Sequence, residues 1–170
     1  MIDKNNLVDE FRQRVFDESY TRIYKCLSLI DEKQLWDSPN SNIPSIGNLI
    51  LHICGNTRQW ILSGMLALPD SRNREDEFKT HDSTSKIDLI GFMENLRIEL
   101  DIEFPNLRNE ILSKKVVIQG FKVSGYSAII HVIEHFSYHT GQITLLTKLH
   151  SNQETNYYSD SNLNENNQQN

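Results

Sequence analysis

The chain has 170 residues, of which 38% are hydrophobic, and this length is enough for one domain around one hydrophobic core. Its formal net charge of -6 argues against a nucleic-acid partner, because proteins that bind phosphate backbones concentrate Lys and Arg. Its apolar runs are far shorter than the roughly twenty residues that span a bilayer, so no membrane partner is expected.

Apolar residues recur at helical spacing in four blocks of the sequence. The first block extends from about Asp3 to Asp31, and its apolar face consists of Val8, Phe11, Val15, Ile23, Leu27 and Ile30. A polar loop over residues 38–42 follows. The second block begins near Pro44, where a missing N–H is harmless, and it ends by Pro69. Its apolar side consists of Ile46, Leu49, Ile50, Ile53 and Trp60.

The third block begins near Ser85, which forms a capping-box pattern with Asp88, and Pro105 should end it. Its apolar residues are Leu89, Met93, Leu96 and Leu100. Residues 115–123 are rich in β-branched side chains and contain Gly120, which predicts a short β-hairpin or an extended connector. The fourth block covers about residues 124–150 and buries Ile129, Val132, Ile133, Phe136, Ile143 and Leu146.

Four amphipathic helices with one long crossing connection predict an all-α protein, a four-helix bundle over residues 1–150. Residues 151–170 are dominated by Asn, Gln, Ser and Glu and have almost nothing to bury. Such a segment cannot offset the entropy lost on ordering, so we expect a disordered polar tail.

The chain has two cysteines, Cys26 and Cys54. Its first residues contain neither an apolar run nor a small-residue cleavage pattern. Reduced thiols and a cytoplasmic location are therefore expected.

Three histidines indicate a metal site. His135 and His139 are one helical turn apart, so a single helix can offer both imidazoles to one ion. At about 100° of rotation per residue, His139 lies inside the apolar arc of the fourth helix and His135 lies just beyond its edge. His52 has the matching edge position in the second helix. We expect these three side chains to converge at one end of the core and to leave coordination positions open, as catalytic sites do.

Other interpretations of the same histidines stay open. Two histidines four residues apart are often merely solvated or hydrogen-bonded. His131 has the same spacing from His135, but it lies further from the arc, so we expect it beside the site or at the surface. His81 in a polar loop and His150 at a helix C-terminus are not proposed as ligands.

Several polar residues lie near the three histidines in sequence. Asn56 follows His52 by one turn and could hold a water or orient a substrate. Gln142 follows His139 by three residues and could bond a ligand imidazole. Arg58, Arg72 and Arg74 could meet an anionic group on a substrate, although Arg72 and Arg74 are more readily explained as solvated or structural side chains.

Residues 135–143, with the sequence His-Phe-Ser-Tyr-His-Thr-Gly-Gln-Ile, resemble the final-helix signature of the DinB/YfiT-like metalloenzymes. Residues 51–61, 70–74 and 77–78 are similar to the branch of that superfamily catalogued as a domain of unknown function. The resemblance spans about residues 5–150. It implies a four-helix bundle that binds a divalent ion, typically nickel or zinc, through histidines that match His52, His135 and His139.

The resemblance also implies homodimers, and it includes enzymes that use low-molecular-weight thiols, such as S-transferases and maleylpyruvate isomerase. No substrate-pocket motif of those thiol-dependent enzymes can be matched in this chain. The expected partners are therefore a small-molecule substrate, with a low-molecular-weight thiol as one candidate, and a second copy of the chain.

Two classes of function follow. An ion held by three imidazoles lowers the pKa of a water or thiol bound at its open position. Bound water would become hydroxide in a hydrolase, and bound thiol would become thiolate in a thiol transferase. The alternative is a non-catalytic, metal-binding dimeric bundle with a structural or sensing role. Three protein ligands favour the enzyme, because a structural zinc normally recruits four. An inward-turned His131 or Glu134 would favour the alternative.

Overall fold

The computed structural model describes residues 3–79 and 84–166, and it confirms the all-α four-helix bundle with a short β-hairpin before the last helix. The first bundle helix consists of α1 (Lys4–Arg12), a π-helical stretch (Gln13–Tyr20) and α2 (Thr21–Ser28). A short α3 (Glu32–Trp36) leads to the second bundle helix, which consists of α4 (Ile46–Thr57) and a π-helical stretch (Arg58–Ser63).

In its described part, the long connection after the second bundle helix contains one short helix, α5 (Arg74–Lys79). The third bundle helix is α6 (Lys86–Glu103), which is followed by a 3₁₀ turn (Phe104–Asn106) and by α7 (Asn109–Ser113). The fourth bundle helix, α8 (Gly125–Ser151), packs against the first and second bundle helices, and α6 packs against α4. The helices thus enclose one core.

The helix start and end residues that the sequence predicted lie at the ends of α6. Ser85 and Asp88 form the predicted capping box at the start of α6, and Pro105 lies in the 3₁₀ turn that ends it. A second capping box, between Ser45 and Asn48, starts α4.

The hairpin pairs β1 (Lys115–Ile118) with β2 (Phe121–Ser124) in antiparallel register. Its two turn residues, Gln119 and Gly120, both have positive φ, at 51° and 82°. This is the conformation of a tight two-residue hairpin turn, which glycine adopts without strain.

The core consists of the apolar faces predicted from the sequence. Fully buried side chains from all four bundle helices meet in it, among them Phe11, Ile23, Ile50, Ile53, Leu89, Leu100, Ile129 and Phe136. No helix within the described ranges is long and apolar enough to cross a membrane.

The polar segment after α8 contacts the bundle through Tyr157 and Tyr158, and the hydroxyl of Tyr158 accepts a hydrogen bond from Nη2 of Arg22 at 2.7 Å. The hydroxyl of Tyr157 lies 3.0 Å from Sγ of Cys26 and 2.7 Å from Oγ1 of Thr144, and Thr155 is buried nearby. The guanidinium of Arg22 lies over the Tyr157 ring. Disorder of the tail over residues 151–170 stays a prediction, and within the described residues Tyr157 joins this segment to the first and fourth bundle helices.

Candidate metal centre

The three imidazoles that the sequence singled out lie together between α4 and α8. His52, His135 and His139 each offer one ring nitrogen, and these nitrogens all lie within 4.8 Å of one another. The Nε2 atoms of His52 and His135 are 3.0 Å apart. His52 and His139 are 6% and 8% exposed, and His135 is half-buried. The cluster therefore lies at the edge of the core and remains accessible.

The donor set fits a divalent ion. Two imidazole nitrogens bound to one ion at about 2.1 Å stand roughly 3.0 to 3.4 Å apart, and the contact between His52 and His135 falls in this range. Burial, together with the neighbouring imidazoles, lowers the pKa of His135 to about 3. Burial also lowers the pKa of His139 to about 4, against the opposing effect of its bond to Gln142. Both rings are thus held neutral, which is the form that binds metals.

His139 is oriented by a residue of its own helix. Oε1 of Gln142 lies 2.6 Å from Nδ1 of His139, and the amide nitrogen of Gln142 donates to the hydroxyl of Tyr138 at 3.2 Å. Since the amide nitrogen of Gln142 donates to Tyr138, the amide oxygen faces His139 and accepts a hydrogen bond from Nδ1–H of that ring. Nε2 of His139 is then left with the lone pair that a metal needs.

His52 contacts a buried ion pair that sequence reasoning did not find. Oε2 of Glu77 lies 2.8 Å from Nδ1 of His52. Arg72 donates to both oxygens of Glu77, from Nε at 2.6 Å and from Nη2 at 2.9 Å. Although burial raises the pKa of Glu77, its hydrogen bonds with Arg72 and His52 lower it overall, so the carboxylate stays ionised.

The same ion pair is held by its surroundings. Nη1 of Arg72 donates to Gln59, whose side-chain amide donates to Asp70. Gly55 faces the pair: a Cβ at this position would lie 2.1 Å from Oε1 of Glu77. For Arg72 the sequence suggested a substrate contact or, more readily, a solvated or structural side chain; in the structure it is a buried partner of Glu77.

His131 lies beside the cluster and is not one of its three members. Its ring stacks on Trp60, with centroids 3.8 Å apart, and more loosely on His135, at 5.3 Å. Nδ2 of Asn56 is 3.5 Å from Nε2 of His131. Oδ1 of Asn56 is buried without a hydrogen-bond partner among the described residues, so it is an unused acceptor beside His131.

The remaining candidates lie elsewhere. Arg58 forms an ion pair with Glu99 of α6, on a different side of its helix from His52. Arg74 lies over the ring of Phe78, and that ring contacts His52 with centroids 5.0 Å apart. Glu134 is exposed, and Nδ1 of His150 lies 3.6 Å from Asp37. His81 lies outside the described residues.

Sequence reasoning missed Glu77 and Phe78 because both depend on a tertiary contact. They lie on α5, a six-residue helix with three acids in its first turn, and nothing in its apolar spacing predicts burial. The one usable signal was Gly55 in an otherwise good helical pattern, since a glycine inside a helix indicates a close approach by another group.

Comparisons with known proteins agree with this architecture. The sequence profile of a family described as "Protein of unknown function (DUF1572)" matches residues 4–161. A conserved protein from Enterococcus faecalis has a similar structure, with a TM-score of 0.66 at 15% identity, and the match covers 85% of this chain and 97% of that one. No curated protein is significantly similar in sequence.

A second similar structure is that of a DinB-like protein from Bacillus cereus ATCC 10987. Its TM-score is 0.59 at 16% identity, and the match covers 84% of this chain and 91% of that one. At such identities the likeness defines the fold, which is DinB-like. The three-histidine cluster is compatible with metal binding within this fold.

Proposed function

This chain belongs to the DUF1572 family of proteins of unknown function, and from that premise we propose that it is a metal-dependent enzyme acting on a small molecule. His52, His135 and His139 hold a divalent ion, with nickel and zinc as the preferred candidates, because imidazole donors suit both. The reaction is thiol transfer or hydrolysis. A low-molecular-weight thiol is the proposed co-substrate of the transfer reaction, and the active form is a homodimer.

The number of ligands carries this proposal. Within residues 3–79 and 84–166, no fourth His, Cys, Asp or Glu side chain joins the three histidines as a potential ligand. His131 is stacked on Trp60 and Glu134 is exposed. Three protein ligands leave positions for water or substrate, which is typical of catalytic metal sites, whereas structural zinc sites recruit four.

Both proposed reactions require a positive charge at the three-histidine cluster and polar groups around it. When bound, the ion supplies the positive charge that lowers the pKa of a water or a thiol in its open positions. The unpartnered Oδ1 of Asn56 is suited to accept a hydrogen bond from a substrate or a water. The rings of Phe78 and Tyr138, which contact His52 and His139, supply apolar surface on either side.

One assay separates the two reactions. Zinc- or nickel-loaded protein is incubated with a nitrophenyl ester and, separately, with a chloronitrobenzene, each with and without a panel of low-molecular-weight thiols. Turnover of the chloronitrobenzene that requires thiol supports transfer, whereas thiol-independent turnover of the ester supports hydrolysis.

The matched control variants are His135→Ala and His150→Ala, since both remove an imidazole from α8 and only the first belongs to the cluster. Loss of turnover in His135→Ala alone supports the proposal. Equal turnover in both variants, or no turnover of either electrophile by loaded protein, would contradict it.

A further inference from the structure

Two buried charges lie directly behind one of the proposed ligands. The side chains of Arg72 and Glu77 are 3% and 9% exposed, and Glu77 contacts His52 on the ring nitrogen opposite to the one that faces His135. Burying an ion pair is costly unless its geometry is good. The bidentate contact between Arg72 and Glu77, and the third contact to His52, satisfy the carboxylate at both oxygens.

The donors around Glu77 determine which nitrogen of His52 has the proton. An ionised carboxylate accepts at both oxygens, and a guanidinium only donates. The donor and acceptor roles of Arg72 and Glu77 are therefore fixed. Nη2 of Arg72 lies 3.2 Å from Nδ1 of His52, but it donates to Oε2 of Glu77 at 2.9 Å. The closer neighbour of Nδ1 is Oε2 of Glu77 at 2.8 Å, where two unprotonated acceptors would repel, so Nδ1 has the proton. Nε2 of the same ring then has a free lone pair, and this atom lies 3.0 Å from Nε2 of His135.

We propose that Arg72 and Glu77 are positioning residues, which fix His52 in the tautomer with a proton on Nδ1 and so direct its Nε2 lone pair at the ion position. Arg72 acts through Glu77, because it keeps the carboxylate facing His52. This inference deepens the proposed function and rests on it only for the presence of an ion.

Gly55 supplies an independent observation. A Cβ at position 55 would lie 2.1 Å from Oε1 of Glu77 and 3.1 Å from Nε of Arg72, so the ion pair occupies space that only glycine leaves open. Glycine inside a helix is unfavourable by roughly 0.5 to 1 kcal/mol relative to alanine, and its presence in α4 is explained by this close approach.

An isosteric change should reverse the tautomer. In Glu77→Gln, the side chain has one acceptor and one donor where the native residue has two acceptors. Arg72 donates to both oxygen positions, from Nε to Oε1 at 2.6 Å and from Nη2 to Oε2 at 2.9 Å, and the shorter contact favours the amide oxygen at the Oε1 position. The amide NH₂ then faces Nδ1 of His52, which must become the acceptor, and the proton moves to Nε2, where it opposes metal binding.

The test is ¹⁵N NMR of the histidine rings in metal-free protein, with zinc affinity measured in parallel by competition with a chromophoric chelator. Wild-type protein should show His52 protonated at Nδ1. Glu77→Gln should show the proton at Nε2 and a zinc affinity lower by about 10- to 100-fold. Glu75→Gln, which removes an exposed acid of the same helix, should leave both readouts unchanged.

The double variant Arg72→Met with Glu77→Gln gives the sharpest result. Without the guanidinium the amide can turn its oxygen to His52, so the Nδ1 proton and much of the zinc affinity should return. Wild-type His52 protonated at Nε2 would overturn the proposal, and this result needs no variant to fold. A Glu77→Gln protein in which both the tautomer and the zinc affinity are unchanged would also overturn it. Because the tautomer is read without metal, absence of catalysis contradicts the proposed function and leaves this inference standing.

Discussion

The Nε2 atoms of His52 and His135 lie 3.0 Å apart, although 83 positions separate the two residues in sequence. The contact is set by the packing of α4 against α8, where the neighbours Ile53 and Phe136 are fully buried. Close-packed interiors resist displacement, so the packing of these two helices holds the two nitrogens close together. Metal affinity should therefore depend on side chains that orient the rings as well as on the rings themselves.

Zinc should stabilise the folded protein through the three histidines together. An ion that binds only the native state adds about 2.7 kcal/mol to the free energy of unfolding when its free concentration is about 100 times Kd. We expect His139→Ala to lose this zinc-dependent gain, and His150→Ala to keep it. Urea unfolding with zinc and with a chelator measures the difference. A full zinc effect in His139→Ala would remove this residue from the ligand set.

Zinc affinity should depend on Gly55 of α4. Gly55→Ala forces a methyl group onto the carboxylate of Glu77, so we expect weaker zinc binding and a lower free energy of unfolding. Gly91→Ala is the matched control, because a Cβ there meets nothing within 4 Å, and this variant should gain roughly 0.5 to 1 kcal/mol. Chelator competition and urea unfolding of both variants test the expectation. Equal zinc affinity in the two would show that the Arg72–Glu77 pair tolerates displacement.

Gln142 should act on the metal site through the oxygen of its amide. Gln142→Ala removes the acceptor at Nδ1 of His139, and we expect zinc affinity to fall by about tenfold or more. Gln142→Glu keeps an acceptor at the same place and should retain the affinity. Tyr138→Phe removes only the hydroxyl to which this amide donates, so it should lower zinc affinity less than Gln142→Ala does. Equal affinities of the Ala and Glu variants would contradict an orienting role.

Tyr157 should join the C-terminal segment to the bundle. Tyr157→Ala removes a half-buried ring and its bonds to Cys26 and Thr144, and we expect a loss of roughly 1 to 3 kcal/mol in the free energy of unfolding. Leu163→Ala, at a side chain that is 70% exposed, should change it by less than about 0.5 kcal/mol. Hydrogen exchange over residues 152–166 would test the predicted disorder directly. Strong protection of these residues that is lost in Tyr157→Ala would contradict the predicted disorder and would support the anchoring role of Tyr157.

The sequence was sufficient for features that depend on local spacing. The apolar periods predicted the four bundle helices, Ser85 and Pro105 marked the start and end of one of them, and Gly120 indicated the hairpin turn. The helical rotation of His135 and His139 placed both rings at the edge of the core. Each inference needed only the geometry of a single element.

Other features could not be predicted from the sequence, because they depend on contacts between distant segments. The burial of Arg72 in a loop and of Glu77 in a short helix cannot be inferred from the sequence, since their partners Gln59 and His52 lie on the second bundle helix. The resemblance to a known family was judged to end near residue 150, whereas the family profile extends to residue 161 and thus includes Tyr157. In a strongly polar segment, one tyrosine gave no periodic signal.

The X-ray absorption spectrum of zinc-loaded protein tests the central claim most directly, because it identifies the atoms bound to the ion. The three-histidine site predicts one zinc per chain, with three imidazole nitrogens and at least one further light atom from water or buffer in its first shell. Two or four imidazoles, a sulfur ligand, or a protein that retains no zinc would contradict the account.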